Sequence, residues 1–399
     1  MSTIKKLVHQ SLIPLAGALA RLIPDRVPVT FVGADASRDL CESIAQSPAT
    51  RVLVVTDAGL VDVGIVGRIE AALESVGLAV TVYSGVEPDP TFEHVEAGLE
   101  LYDGEGCDAV LAVGGGSSID AAKVIAAKAT NRVPLAKLEG PMKVRIAPAP
   151  LYAIPTTAGT GSEVTLAAVV SDPETHAKKF FIDPKLLPRM AALDPGLMTG
   201  LPPHITAATG MDALTHAVES YLSRTSNAVT EDWARTAVSL VFEHLPVAYT
   251  NGGDLGARKA MALASYYGGL AFTRTSVGYV HAIAHTFGAF YGTPHGLANA
   301  IALPHVLEFS KEKAKPRLAA LGRLIGVEGA DDDTLADGFI AAVRDLKTKV
   351  GIPSQLDALE EKDIPAIAVQ ATAEAQLNYP VPRYMSLEEC RTLLQGMRA

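Results

Sequence analysis

Two rhythms of apolar residues run along this chain, and one gives way to the other near residue 200. Up to that point, short apolar runs alternate with stretches of helical period. "RVLVVTD" (51–57), "LAVTVYSGV" (78–86) and "DAVLAVGGG" (108–116) have the length and apolar content of buried strands. Around them, 63–77, 90–106 and 117–131 repeat their apolar positions at helical spacing. Strands separated by helices of this length predict βαβ units and a parallel sheet. "LYAIPTTAGTGSE" (151–163) and "FFIDPKLLPRMAALDP" (180–195) add later strands with turns. Beyond residue 200 the strand signal fades into Ala/Leu/Val-rich helical segments at 204–223, 227–249, 255–272, 277–289, 296–309, 314–325 and 332–350. The pattern predicts an α/β domain with a Rossmann-like parallel sheet over 31–200 and an all-α domain over 201–399, meeting at the "LMTGLPP" turn (197–203).

The totals narrow the class. A chain of 399 residues is long for one core, which agrees with two domains. With 48% apolar and 20% charged residues, 34 Gly and 25 Pro, it is a packed globular protein rich in turns. A formal net charge of −10, with no Lys/Arg-rich run, excludes a nucleic-acid backbone as partner. Cys41, Cys107 and Cys390 are widely separated and form no CxxC pair, so neither a disulfide framework nor a thiolate zinc site is expected; a cytoplasmic location fits. The first 30 residues stand apart. "IKKLVHQSLIPLAGALARLIP" (4–24) has a basic start, an apolar middle and an "ALA" resembling a secretory cleavage site. His9, Gln10 and Arg21 break the run, which is too short to span a bilayer. An amphipathic helix over 1–30, packed on the body or on a neighbouring subunit, is expected. Membrane-surface contact by 1–24 and a cleaved signal are the alternatives.

Chemistry enters at three loops and one set of histidines. "AVGGGSSIDAAK" (112–123) places three glycines between a strand and a helix, where backbone N–H groups and the helix dipole can receive a phosphate. Ser117 and Asp120 fit an S-x-x-D capping pattern that would pin the helix start. This is not GxGxxG, and a tight turn explains it as well. "PTTAGTGSE" (155–163) offers hydroxyls and glycines at the end of another strand, suited to the phosphates and ribose of a dinucleotide or to a plain polar turn. Asp57, closing a strand, is either a helix cap or an acceptor for ribose hydroxyls that disfavours a 2′-phosphate, hence NAD over NADP. In the helical half, Asp212 and His216 are four residues apart, as are His281 and His285, and His295 follows. Each pair shares a helix face. One histidine in an apolar helix is ordinarily a core residue; four beside an aspartate point to a divalent first-row metal, Fe2+ or Zn2+, bound by imidazole and carboxylate.

The segments "GGGSSIDAAK", "PTTAGTGSEVT", "GMDALTHAVESYLS" and "HAIAHTFGAFYGTPHGLANAIALPHV" resemble the iron-containing (group III) alcohol dehydrogenases, the group that includes lactaldehyde reductase and 1,3-propanediol dehydrogenase. The resemblance covers roughly 30–399. It implies a dinucleotide-binding α/β domain, a helical domain in the dehydroquinate synthase-like manner, and a metal in the cleft between them. Position by position, it implies Asp212, His216, His281 and His295 as metal ligands, with His285 a further histidine near the substrate. It implies Gly115, Gly116 and Ser117 at the pyrophosphate, with Asp120 just beyond, and Thr156, Thr157 and Thr165 in a second cofactor loop. Lys178 falls near the nicotinamide ribose, Asp57 where an acid accompanies NAD, and Asp89 where Asn is common. Two stretches depart from the group: the apolar 1–24 segment, and "NYPVPRYMS" (378–386) in place of an "NPR"-type stretch.

The expected activity is a metal-dependent, NAD(H)-linked alcohol dehydrogenase or aldehyde reductase, likened to EC 1.1.1.1, acting on a small primary alcohol or aldehyde. The metal, Fe2+ with Zn2+ as alternative, would polarise the substrate oxygen, and His285 would pass the proton toward solvent. A Zn2+-dependent polyol (glycerol-type) dehydrogenase or a sugar-phosphate enzyme of the same fold is the alternative, and a homodimer or higher homo-oligomer is expected.

Overall fold

A computed structural model describes residues 26–173 and 178–399. The described chain divides into two compact units, Arg26–Gly200 and Leu201–Ala399. The first unit runs β1 (Val29–Val32), α1 (Ala36–Ala45), β2 (Arg51–Val55), α2 (Ala58–Asp62), α3 (Ile65–Ser75), β3 (Ala79–Tyr83), α4 (Phe92–Gly104), β4 (Ala109–Gly114) and α5 (Gly116–Thr130). There follow β5 (Gly140–Pro141), β6 (Leu151–Pro155), β7 (Ala167–Ser171), β8 (Lys178–Ile182) and β9 (Met190–Leu193).

Six strands form one sheet in the order β1-β9-β6-β4-β2-β3, every pair parallel; β5, β8 and β7 form a small second sheet. Alternation along the central strands feeds two cores. Leu53 and Val55 of β2 and Val110 and Ala112 of β4 face one layer, where Val95 and Leu99 of α4 and Ile119 and Val124 of α5 cover them. Val52, Val54, Leu111 and Val113 face the other, covered by Leu40 and Ile44 of α1 and Ile69 and Leu73 of α3. Burial on both faces is why these strands read as unbroken apolar runs.

The topology positions the loops. From β2 the chain moves outward to β3, but from β4 it moves the opposite way to β6. The order therefore reverses between β2 and β4, and a parallel sheet opens a crevice at the carboxyl ends of such strands. Gly115 and Thr156 directly follow the ends of β4 and β6, and Asp57 is the second residue beyond β2.

The second unit is helical: α6 (Pro203–Leu222), α7 (Ala228–Thr250), α8 (Leu255–Thr275), α9 (Tyr279–Tyr291), α10 (His295–Leu324), α11 (Asp332–Lys349), α12 (Ile364–Asn378) and α13 (Leu387–Met397). Leu214, Val218, Val241, Leu245, Ile301 and Phe339 are among its fully buried side chains. No described helix is long and apolar enough to cross a membrane.

Several expectations change. The segments 296–309 and 314–325 are one helix, α10, because the helix-forming "SKEK" between them continues the turn, and Pro304 and Pro316 lie inside it. The helix predicted over 1–30 lies outside the described residues as far as Asp25, and its last residues, Val29 and Thr30, belong to strand β1. Ser117 and Asp120 do not form a capping box: Gly115 is the cap, so Ser117 already lies inside α5.

Leu111 lies in the middle of the central strand, fully buried. Its replacement by Ala is expected to destabilise the protein by about 3 kcal/mol through lost burial and a residual cavity, read as a shift of the urea unfolding midpoint.

Candidate active site

On α6, Asp212, His216 and Glu219 follow at i, i+4 and i+7 and form one stripe, all nearly inaccessible. α9 brings His281 to this stripe, and the first residue of α10 is His295. Ring and carboxylate atoms converge. His281 Nε2 lies 3.0 Å from His216 Nε2 and 3.8 Å from Asp212 Oδ1, and His295 Nε2 lies 3.6 Å from Asp212 Oδ1. A ligating atom from each of Asp212, His216 and His281 falls within 4.8 Å of the others. Donors about 2.1 Å from a tetrahedral divalent ion are about 3.4 Å apart, so these separations fit a bound cation.

The chemistry of the set fits as well. Burial, with the neighbouring His216, His295 and His285, holds His281 well below its usual pKa and therefore neutral. Its Nδ1 donates to Glu219 Oε2 at 2.7 Å, which leaves Nε2 with the lone pair that a metal uses. Glu219 is fixed in turn, accepting the N–H groups of Gly278 (2.8 Å) and Val280 (2.7 Å) at the start of α9. Burial pushes its carboxyl up to about 8, and those N–H groups oppose the rise. His216 stacks on Phe272 with ring centroids 4.2 Å apart.

Asn299, one turn after His295 on α10, completes the cluster. Its Nδ2 donates to Asp212 Oδ1 at 2.7 Å and lies 3.3 Å from His281 Nε2 and 3.1 Å from His295 Nε2, while its buried Oδ1 has no partner. Three acceptors converging on one donor form a pocket electrostatically shaped for positive charge. Close helix packing sets this spacing: a Cβ on Gly296 would stand 2.4 Å from the Ala208 carbonyl oxygen, so α10 meets α6 through a glycine beside His295.

His285 lies beside the cluster, its ring stacked on His295 at 5.5 Å. Its Nδ1 meets Glu374 Oε1 of α12 at 2.7 Å, and the Tyr379 hydroxyl donates to the same oxygen at 2.5 Å. Burial and the Glu374 charge hold Tyr379 well above the usual tyrosine range. Glu219 was detectable in the sequence as the next residue of the Asp212–His216 stripe, and Asn299 as i+4 from His295. Glu374 and Tyr379 carried no such signal.

In the α/β unit the expected cofactor residues take three kinds of position. Gly115 and Gly116 sit at the start of α5, and a Cβ on Gly116 would come 2.7 Å from Thr160 Cγ2, so only glycine lets the two loops meet. Thr156 donates its N–H to the Gly114 carbonyl, and Thr157 lies against Gly115. Asp57 caps α2, accepting the Leu60 N–H at 3.0 Å. Lys178 and Asp89 pair with each other at 2.9 Å. Asp120 and Thr165 are held by protein partners. Asp120 accepts from the Ser162 hydroxyl (2.6 Å) and the Val169 N–H (2.9 Å), and the buried Thr165 accepts from Lys123 Nζ at 2.9 Å. Lys123 was not anticipated. It is fully buried, and burial pushes its ammonium down to about 8 against the pull of Asp120 and Glu163.

Known proteins resemble this chain in sequence and in fold. Residues 28–195 match the family described as iron-containing alcohol dehydrogenase, and residues 206–397 match the C-terminal part of the Fe-containing alcohol dehydrogenase family. Alcohol dehydrogenase 4 of Saccharomyces cerevisiae (strain YJM789) is 40% identical over 359 residues, covering 89% of this chain and 93% of the relative. A crystal structure of 1,3-propanediol oxidoreductase superposes with a TM-score of 0.90 at 37% identity, over 92% of this chain and 98% of that one. Sulfoacetaldehyde reductase from Bifidobacterium kashiwanohense, solved in complex with NAD+, superposes with a TM-score of 0.83 at 30% identity, over 93% and 97%.

Because Glu219 fixes the tautomer of His281, Glu219→Gln is expected to weaken metal retention by about ten- to a hundredfold while the far-UV circular dichroism stays unchanged. Metal content after dialysis against a graded chelator reads the effect.

Proposed function

The chain belongs to the iron-containing alcohol dehydrogenase family, and on that premise we propose that it interconverts a primary alcohol and its aldehyde with NAD(H), using Fe2+ held by Asp212, His216, His281 and His295. The observation that supports this reading is the convergence of Asp212, His216 and His281 on one buried point, with the half-buried His295 3.6 Å from Asp212 and Glu219 directing the lone pair of His281 inward. When bound, the cation supplies Lewis acidity toward the substrate oxygen, and the nicotinamide supplies or takes the hydride at the carbinol carbon. Zn2+ suits the same nitrogen and oxygen donors. The polyol and sugar-phosphate alternative is not favoured: the similar proteins are alcohol dehydrogenases and aldehyde reductases.

The chain's own residues then divide the remaining work. His285 holds and passes the alcohol proton, and Glu374 accepts from its Nδ1 and so orients the ring. The N–H groups at the start of α5, opened by Gly115 and Gly116, receive the pyrophosphate beside Ser117. Thr156 and Thr157 line the second loop, and Lys178 lies toward the nicotinamide ribose with Asp89 as its ion-pair partner. Asp57 caps α2 and keeps its second oxygen for a ribose hydroxyl, which selects NAD over NADP. Three free, buried cysteines support a cytoplasmic setting, and exposed Val27, Val29 and Val32 around the edge strand β1 suit a homodimer.

Three measurements test the reading. His216→Ala is expected to lose its metal and its turnover yet bind NADH as the parent does; full metal occupancy in the purified variant would require a different ligand set. His285→Ala is expected to keep its metal and lose about a hundredfold in kcat with a changed pH profile, and an unaltered profile would remove the residue from proton transfer. A panel of primary alcohols with NAD+ and NADP+ checks the assignment of Asp57, which wide preference for NADP+ would overturn.

A further inference from the structure

α5 leaves the glycine loop and, one turn later, presents Asp120 and Lys123 at i and i+3 on one face. Both reach the same short segment beyond the second loop. Asp120 takes the Ser162 hydroxyl and the Val169 N–H. Lys123 Nζ donates to Ser162 Oγ (3.0 Å), to Thr165 Oγ1 and its carbonyl (2.9 Å each), and to the Ala167 carbonyl (2.7 Å). A lysine with no solvent access is costly to keep, and an apolar side chain of equal length would fill the same space without that cost. Four acceptors from residues 162–167, with Asp120 beside them, are what the charge holds together.

The two loops these side chains join are those that meet at Gly115 against Thr157 and Gly116 against Thr160. Their separation is fixed on one side by that glycine contact and on the other by the polar bracket. We propose that Lys123, through Asp120 and Ser162, sets the spacing of the two dinucleotide loops, and that it is a positioning residue for NAD(H) binding which does not touch the cofactor. The proposal rests on the reading of these loops as the NAD(H) site. Lys123 acts as a built-in counter-ion: it pulls the 162–167 carbonyls toward α5 and so holds the Thr156–Thr160 turn against the glycines before any ligand arrives. Preorganisation of this kind lowers the cost of binding.

The test is an NADH titration by fluorescence on the metal-loaded full chain, with thermal unfolding and metal content measured on the same preparations. Lys123→Met is expected to raise the Kd for NADH by about tenfold or more, and Ser162→Ala, which removes the shared hydroxyl, by a smaller factor in the same direction. In turnover the KM for NAD+ rises while the KM for the alcohol stays fixed, and metal content is unchanged. Val170→Ala, a buried apolar truncation in neighbouring β7, serves as control: it lowers the melting temperature while leaving the NADH Kd at the parental value. If Lys123→Met and Ser162→Ala bind NADH as the parent does, or if Val170→Ala weakens binding equally at matched stability, the bracket is structural only and the proposal fails. If the parent itself does not bind NADH, the reading of the loops as a dinucleotide site is at fault instead.

Discussion

The helical unit depends on one buried carboxylate. Glu219 accepts the Gly278 and Val280 N–H groups where α9 begins, and it accepts the Nδ1–H of His281 one residue later. A helix start leaves N–H groups without intrahelical partners, and its dipole favours negative charge there. Glu219 satisfies both demands from α6, so a single side chain fixes where α9 begins, its rotation about its axis and which ring nitrogen of His281 faces the cluster. Stripped of that contact, a buried backbone terminus and an unoriented imidazole would remain, each costing of the order of 1–3 kcal/mol in lost hydrogen bonding. The stripe Asp212–His216–Glu219 thus does two things on one helix face: its first two residues bring a carboxylate and an imidazole into the cluster, and the third orients the His281 ring that arrives from α9.

The α/β unit solves a related problem with the opposite sign. Loops at strand ends that receive a phosphate need exposed N–H groups and little side-chain bulk, which leaves them poorly held by apolar packing. Here Lys123, its ammonium pushed down to about 8 by burial, donates to the Thr165 and Ala167 carbonyls and to the Ser162 and Thr165 hydroxyls. One unit therefore carries its cation covalently as a lysine. The other surrounds a point with acceptors and leaves the cation to be supplied.

The central strands and several helices were legible because their burial is patterned: β4 and β6 are buried throughout, β2 at all but its first residue, and α3 to α5 repeat at helical spacing. β1 escaped because it is a four-residue edge strand with no fully buried position, and β7 because it is five residues long with only two buried positions. The carboxy-terminal helices α12 and α13 escaped among proline-rich stretches. Asp212, His216, His281 and His295 were legible through residue type and i,i+4 spacing. Glu374 pairs with His285 across 89 residues and Lys123 with Ser162 across 39, distances over which no local pattern operates. Ser117 and Asp120 matched a capping motif in sequence, but Gly115 took the cap two residues earlier, and the Asp120 carboxylate is a tertiary contact.

The donor set narrows what the helical cluster would hold. Asp212 offers a carboxylate oxygen, and His216, His281 and His295 offer imidazole nitrogens. Imidazole-rich donors with one carboxylate would favour a divalent first-row transition metal over Mg2+ or Ca2+. The Asn299 amide, whose nitrogen now meets Asp212, His281 and His295, has an unpartnered oxygen on the same side chain. That amide ties the carboxylate of α6 to the imidazoles of α9 and α10 through one side chain.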